Sequence, residues 1–264
     1  MDMQKFWDQQ AGTGVWASYY DRAATAQTFN FFERRQGVME ILKEDGDFPR
    51  VLDVGCGTGD YIEVADAHNG AFFGIDFAPQ MVEQAAERIP GHGERHLFVA
   101  GSGDKLPFAD NSFDLVLAMG YIEYFVDPDP AMIELRRVMK PGSTLVMQAF
   151  KWELFANIGR FVVGPMRRAV KGKPKPANGQ PSILPPDWVD KKYTKRELDT
   201  LVARHGFSLR RGLYNNFHCL PKRMRYRFPK LYIGGSQMMK KVPGLFGAFA
   251  VNYIGKYRLD GGAQ

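Results

Sequence analysis

The chain has 264 residues, of which 45% are hydrophobic and 13% aromatic, so it is long enough and apolar enough to bury a full core. Its two cysteines, Cys56 and Cys219, lie far apart, and its first ten residues lack a basic stretch followed by an apolar one. No window of about 18 uninterrupted apolar residues, the length of a spanning helix, occurs in it. These features predict a globular protein of the cytoplasm and argue against one that crosses a membrane.

Charge is distributed unevenly along the chain. Residues 1–153 contain 13 lysines and arginines against 24 acids, whereas residues 154–264 contain 22 against 5. Acids are absent from 154–186 and from 200–259. This asymmetry predicts that the C-terminal part faces an anionic surface or substrate.

Strands and helices are predicted to alternate between residues 51 and 150. The apolar runs that predict strands are 51–55, 71–76, 96–100, 113–120 and 143–150. The periodic stretches that predict helices are 61–68, 78–89 and 130–140, with one or two more helices over 16–42. Such alternation indicates an α/β fold with a mostly parallel, doubly wound sheet.

The stretch VLDVGCGTGD, residues 51–60, ends a buried strand with three glycines among five residues. In an open α/β sheet, ligands bind beyond the carboxyl ends of the strands. Gly55, Gly57 and Gly59 allow the backbone to turn sharply there and to approach a ligand closely, while the next helix offers free N–H groups. The stretch therefore predicts a ligand-binding loop.

Acidic residues surround this loop. Asp53 and Asp60 flank it with negative charge, which suits an ammonium or sulfonium group and does not suit a phosphate. Asp76 ends the next strand, where a carboxylate can accept hydrogen bonds from both hydroxyls of a ribose. A dinucleotide site shares this last acid but requires G-x-G-x-x-G, which GCGTGD does not supply. The acids therefore favour a nucleoside that carries a cation.

Four motifs at family spacing, VLDVGCGTGD, FFGIDFAPQMVEQA, LPFADNSFDLVLAM and ELRRVMKPGSTLVM, resemble the class I S-adenosylmethionine-dependent methyltransferases. The resemblance is to the branch that includes ubiquinone/menaquinone-type and many small-molecule methyltransferases. It covers residues 45–150 and continues weakly over 193–209, which look like the family's last helix before an antiparallel strand pair. It implies a Rossmann-like sheet of seven strands and S-adenosylmethionine as the cofactor.

The resemblance also assigns residues to the cofactor. Those placed around its methionyl moiety are Asp53, Gly55, Cys56 and Gly57. Asp76 is assigned to the ribose hydroxyls, and Phe77 and Met81 are assigned to the adenine. The backbone of Met119 is expected to close the pocket after the fourth strand.

Two parts of this assignment depart from the family pattern or stay open. The family often has Asp directly after the first glycine of AGSGDKLPF to accept from the adenine amino group, and here Ser102 holds that place. Either the Ser102 hydroxyl accepts this bond or Asp104 does. From the N-terminal segment, Tyr19 or Tyr20 is a candidate for contact with the methionyl end; alternatively, these rings only pack the segment against the sheet.

Methyl transfer is an in-line attack on a sulfonium methyl, so the protein must align two ligands and exclude water. A base helps if the acceptor is a phenol or an alcohol. Tyr121 and Glu123 follow the fourth strand beside the expected methyl position. Glu123 could accept a proton or attract an amine, or it is a solvated loop acid. His218 is a candidate base from the acceptor side, and we recognise no metal-ligand cluster in the sequence.

The expected organisation has five parts: an N-terminal helical cover (1–44), the cofactor-binding core (45–150), an inserted lid (151–190), the end of the core sheet (191–218) and a basic, apolar cap (219–264). The cap favours a small hydrophobic or amphipathic acceptor, including a lipid-like one, and peripheral contact with an anionic membrane. The alternatives are an RNA methyltransferase that uses the basic half as its platform, and a non-catalytic S-adenosylmethionine-binding protein.

Overall fold

A computed structural model describes residues 3–12, 25–91, 93–150, 191–220, 222–246 and 249–261 of the chain. Two helices precede the sheet, α1 (Met3–Gly12) and α2 (Ala26–Leu42). Thr25 caps the start of α2: its hydroxyl accepts from the backbone N–H of Thr28 at 3.1 Å, as part of a capping box that satisfies free N–H groups of the first turn. Helix α2 lies inside the predicted helical segment, whereas α1 was not predicted.

Seven strands form one sheet in the described part of the chain. They are β1 (Arg50–Val54), β2 (Ala71–Asp76), β3 (Leu97–Ala100), β4 (Phe113–Met119), β5 (Met139–Phe150), β6 (Phe207–Phe217) and β7 (Ala250–Leu259). Their order is β3-β2-β1-β4-β5-β7-β6. Strands β1 to β5 pair in parallel, and β7 is antiparallel to both β5 and β6. The predicted Rossmann-like, mostly parallel sheet of seven strands is confirmed.

Helices connect these strands and follow the sixth. Those of the core are α3 (Ile62–Ala67), α4 (Pro79–Arg88), α5 (Asp129–Val138) and α6 (Lys195–Arg204), with a short 3-10 turn at Ile122–Tyr124. Three more stand between β6 and β7: α7 (Lys222–Arg227), α8 (Pro229–Lys240) and α9 (Pro243–Phe246). No helix in these described ranges is long and apolar enough to span a membrane.

Each face of the sheet carries its own apolar core. On one face, Leu135 of α5 and Leu198 of α6 pack with Val116 of β4. On the other face, which we call the α2 face, Val38 of α2 packs with residues such as Ile254 of β7. Because both faces are covered, the strands in the middle read as continuous apolar runs.

Two boundaries differ from the sequence-based prediction. The helix predicted to reach residue 140 ends at Val138, because Met139 already pairs with Phe113 of β4. The core sheet also extends past residue 218. Strand β7, inside the segment expected to form a cap, runs between β5 and β6 and supplies the backbone partners of both. The predicted lid, 151–190, lies outside the described residues.

Candidate functional site

The loop that follows β1 turns sharply at its three glycines. Gly55, Gly57 and Gly59 have φ angles of 74°, 52° and 76°, in the left-handed region that residues with a side chain rarely adopt. The backbone N–H of Gly55 donates to the carbonyl oxygen of Ile75 at 2.8 Å, which anchors the loop to the end of β2. A tight backbone turn thus stands at the carboxyl edge of the sheet, where ligands bind in this kind of fold.

Asp76 ends β2 and organises the same loop. Its Oδ2 accepts a hydrogen bond from the backbone N–H of Gly57, and its Oδ1 accepts one from that of Ala78, both at 2.9 Å. Burial raises the pKa of Asp76 to about 6, and these backbone hydrogen bonds oppose the rise. Because a carboxylate has about four acceptor positions, Asp76 can still accept from a ligand hydroxyl.

Asp53, on β1, is 1% exposed, and neither of its carboxyl oxygens has a hydrogen-bond partner among the described residues. Burial raises its pKa well above the ordinary value, the charges of Asp60 and Asp76 raise it further, and Arg34 partly opposes the rise. A buried, unsatisfied polar group costs about 1–3 kcal/mol, so it calls for an explanation. A bound cation or hydrogen-bond donor would provide one.

Asp60 adds a third carboxylate to this edge. The Thr58 hydroxyl donates to its Oδ2 at 2.8 Å, and Arg88 donates to its Oδ1 at 3.0 Å. Burial raises the pKa of Asp60 to about 6, and Arg88 opposes that rise. Burial, followed by the charges of the neighbouring acids, also raises the pKa of the Cys56 thiol, which is therefore protonated at neutral pH. The site is acidic overall and suits a cationic ligand.

The residues assigned to the adenine lie at the start of α4 and after β3. Met81 is buried against Ala11 and Trp7 of α1, and Phe77 is half-buried. Ser102 and Asp104 are exposed, and the Ser102 hydroxyl donates to the Asp104 carboxylate. The two alternatives for the adenine amino group are thus joined in one hydrogen-bonded pair.

The residues after β4 are more buried than a surface loop requires. Met119 ends the strand, and a ring carbon of Tyr121 lies 3.7 Å from where a Cβ on Gly55 would stand. Burial raises the pKa of Tyr121, so its hydroxyl can donate a proton in a hydrogen bond but is a poor base. Glu123 is 0% exposed, so the alternative of a solvated loop acid is wrong.

His218 directly follows β6, at the same edge of the sheet but far from β4. Two strands, β5 and β7, separate β6 from β4. With about 4.8 Å between neighbouring strands, β6 runs roughly 14 Å to the side of β4. His218 is also five residues further along the chain than Leu213, the residue of β6 that is level with Met119 at the end of β4. It contacts the guanidinium of Arg225 and the ring of Tyr232, with 5.8 Å between ring centroids. The structure therefore groups His218 with the C-terminal helices, apart from the glycine loop.

Two residues at this edge, Arg34 and Trp7, were not predicted. Arg34 of α2 is 6% exposed and donates to the Tyr61 hydroxyl at 3.1 Å, and its Nη1 lies 2.9 Å from where a Cβ on Gly120 would stand. Trp7 of α1 packs edge-on to Tyr124, with 6.4 Å between ring centroids. The sequence could have indicated Trp7, because a large aromatic side chain is usually buried. It gave no indication of Arg34, which looks like a solvent-exposed residue of a helix. Tyr19 and Tyr20 lie outside the described residues.

The part of the chain that contains this site matches a known protein family. Residues 52–147 match the family model of the methyltransferase domain. A demethylmenaquinone methyltransferase of Renibacterium salmoninarum is 34% identical over 134 residues, which cover 50% of this chain and 54% of that protein. A 27-O-demethylrifamycin SV methyltransferase of Amycolatopsis mediterranei is 28% identical over 153 residues, covering 56% of this chain and 54% of that protein.

A solved structure shows the same fold over nearly the whole length. The similar chain belongs to the complex of the Haloferax volcanii Trm112 methyltransferase activator with its partner. The TM-score is 0.64 at 18% identity, and the match covers 96% of this chain and 97% of that chain. The curated relatives are matched over a smaller part, because the chain spans about half of their length, 54% in both cases. The family match therefore concerns the glycine-loop core.

Proposed function

We propose that residues 52–147, which match the methyltransferase family model, form a class I S-adenosylmethionine-dependent methyltransferase domain, and that the chain transfers the cofactor's methyl group to a small hydrophobic or amphipathic acceptor. One observation carries the proposal: the buried, acidic edge at the glycine loop, where Asp53 and Asp76 stand beside a backbone that turns at positive φ. This edge fits a ligand that combines a ribose with positive charge.

Different residues bind different parts of such a cofactor. Asp76 accepts from the ribose hydroxyls, and Asp53 faces the cationic methionyl end together with the backbone of Gly55 and Gly57. S-adenosylmethionine supplies an electrophilic methyl group on a sulfonium. The protein's part is to align the acceptor in line with that methyl and to exclude water. Buried Glu123, after β4, accepts the proton when the acceptor is a phenol or an alcohol.

The acceptor proposal is supported by the names of the matched relatives. One is named for demethylmenaquinone and the other for 27-O-demethylrifamycin SV. Both names refer to small molecules, which favours a small-molecule acceptor over RNA. The basic, apolar C-terminal segment agrees with an amphipathic acceptor.

Calorimetry and a methyl-transfer assay test this function. The protein should bind S-adenosylmethionine and not NAD, and it should transfer labelled methyl from the cofactor to a component of a quinone panel or a lipid extract. Methylation of structured RNA in the same assay would favour an RNA methyltransferase instead. Cofactor binding without transfer to any quinone, lipid or RNA fraction would identify a non-catalytic binding protein.

We further propose that residues 222–246, the C-terminal helical segment, rest on an anionic membrane. Seven of the eleven exposed large hydrophobic side chains among the described residues belong to it, from Met224 at 42% exposed to Leu245 at 70%. Leu231 and Met238 stand seven residues apart on α8 and therefore share one side of that helix. The segment has seven lysines and arginines and no acid.

An apolar surface with this charge fits a bilayer of anionic lipids, in which apolar side chains enter the interface and each nearby cation adds about 1 kcal/mol. Sedimentation with phosphatidylserine-containing vesicles should show binding that decreases as salt is raised. Phosphatidylcholine vesicles should retain much less protein. Equal retention by both, or retention by neither, would overturn the proposal, and preferential retention by structured RNA would return the basic half to nucleic acid.

A further inference from the structure

Three fully buried amide side chains stand on neighbouring strands at the ligand edge of the sheet. Gln148 of β5, Asn252 of β7 and Asn215 of β6 are each 0% exposed. Neither polar atom of Gln148 has a hydrogen-bond partner among the described residues, and the same holds for Oδ1 of Asn215 and Oδ1 of Asn252. We call these three residues the amide cluster.

Strand register places the amide cluster on the α2 face. A Cβ on Gly37 of α2 would lie 2.5 Å from Asn215 Nδ2 and 2.7 Å from a methyl carbon of Ile254. Gln148 pairs with Ile254, and Asn252 pairs with Asn215. Because paired residues in a sheet point to the same face, all three amides face α2.

The amide cluster is only partly satisfied by its neighbours. Asn215 Nδ2 donates to the carbonyl oxygen of Glu33 at 2.8 Å, and Asn252 Nδ2 donates to Asn30 Oδ1 at 2.9 Å. Each bond uses one amide N–H of an asparagine, and the oxygen of each asparagine has no partner among the described residues. Buried polar groups in folded proteins nearly always have a partner, so a ligand or internal water must supply these bonds.

The free positions of the amide cluster include both acceptors and donors. Three amide oxygens have no donor, and four amide N–H groups are free to donate, both of Gln148 and one on each asparagine. The matching group therefore both donates and accepts, as a hydroxyl does. An ether or carbonyl group, which only accepts, could bind the free N–H groups but would leave the three oxygens unsatisfied.

We propose that the amide cluster is the subsite that binds a hydroxyl group of the acceptor. This inference rests on the proposed methyltransferase function. Gln148 pairs directly with Met119, the last residue of β4 and a predicted part of the cofactor pocket. The cluster therefore continues from the expected methyl position across β5 and β7 toward β6, and it selects hydroxylated acceptors over their ethers.

Binding of a matched pair of probes tests the subsite without requiring turnover. Protein saturated with S-adenosylhomocysteine is titrated with 1-naphthol and with 1-methoxynaphthalene, which differ in the ability to donate. We expect 1-naphthol to bind about tenfold more tightly, the value of one buried hydrogen bond. Gln148→Met removes the polar atoms at similar volume and should abolish this preference. Met147→Leu, on the opposite face of the same strand, should retain it.

The outcomes separate this inference from the proposed function. Equal binding of the two probes by the native protein, or an unchanged preference in Gln148→Met, would overturn the subsite. A higher melting temperature of Gln148→Met with the preference intact would assign the cluster to internal water. Failure to bind S-adenosylhomocysteine would instead contradict the methyltransferase proposal, whatever the probes do.

Discussion

The glycine-loop edge and the C-terminal helical segment carry opposite charge. The charged groups are buried at the glycine loop and exposed in the C-terminal segment. At the glycine loop, Asp53, Asp60 and Asp76 are all buried, and burial raises the pKa of each one. In residues 222–246, Arg227 and Lys230 are exposed beside exposed apolar side chains.

The difference indicates two kinds of recognition. Buried charges are costly unless a ligand of defined shape compensates for them, so they give specificity and are little affected by salt. Exposed charges cost little and attract any surface of opposite sign, with strong screening by salt. We expect the acidic edge to bind one small cationic ligand and the basic segment to bind an extended anionic surface.

The largest effect should follow from removing the carboxylate of Asp76. Asp76→Ala should weaken S-adenosylmethionine binding about 100-fold, because two charge-assisted hydrogen bonds to the ribose are lost. Calorimetry measures this change, with Asp66→Asn, an exposed acid on α3, as the control. Unchanged affinity in Asp76→Ala would remove this residue from the site.

Asp53→Asn should separate binding from stability. We expect the affinity for S-adenosylmethionine to fall roughly 30-fold, because a charge beside the cation is lost. The free protein should become more stable near neutral pH. The pKa of Asp53 is higher in the folded state than in the unfolded state. The free energy of unfolding of the native protein therefore decreases as pH rises from the unfolded-state pKa through the folded-state pKa. Asn does not titrate, so the variant does not show this decrease. Thermal melts at several pH values check this, and a less stable variant at every pH would contradict it.

The basic segment should respond to loss of apolar area without any change of charge. Leu231→Gln combined with Met238→Gln should weaken binding to phosphatidylserine vesicles about tenfold, because two apolar side chains no longer enter the interface. Ile133→Gln, at a position 57% exposed on α5, is the matched control and should have no effect. Equal losses in both variants would mean that the interaction is not specific to the segment.

Acidification should weaken the cofactor site by the smallest amount. The pKa of Asp76 is about 6 in the free protein, and only its ionised form accepts both hydroxyl hydrogen bonds. Affinity should therefore fall as pH decreases through 6, by about fourfold between pH 8 and pH 5.5. Titration calorimetry across this range tests the sign, and tighter binding at low pH would contradict the role of an ionised Asp76.

Much of the core was predictable because its signals are local. The strand VLDV, the glycines after it and Asp76 at the end of the next strand are close in sequence, and parallel packing brings them to one edge. The end of α5 was missed by two residues, because the pairing of Met139 with Phe113 overrides helical periodicity.

The sequence alone determined the α/β class, the glycine loop and the unequal distribution of charge, since these depend on periodicity and composition. Tertiary structure alone decided which polar residues are buried. Arg34 and Asn215 are polar residues in segments whose sequence would equally suit a solvent-exposed position. They are buried only because α2 packs on β6 and β7. Placing β7 between β5 and β6 likewise required contacts distant in sequence, which local patterns do not encode.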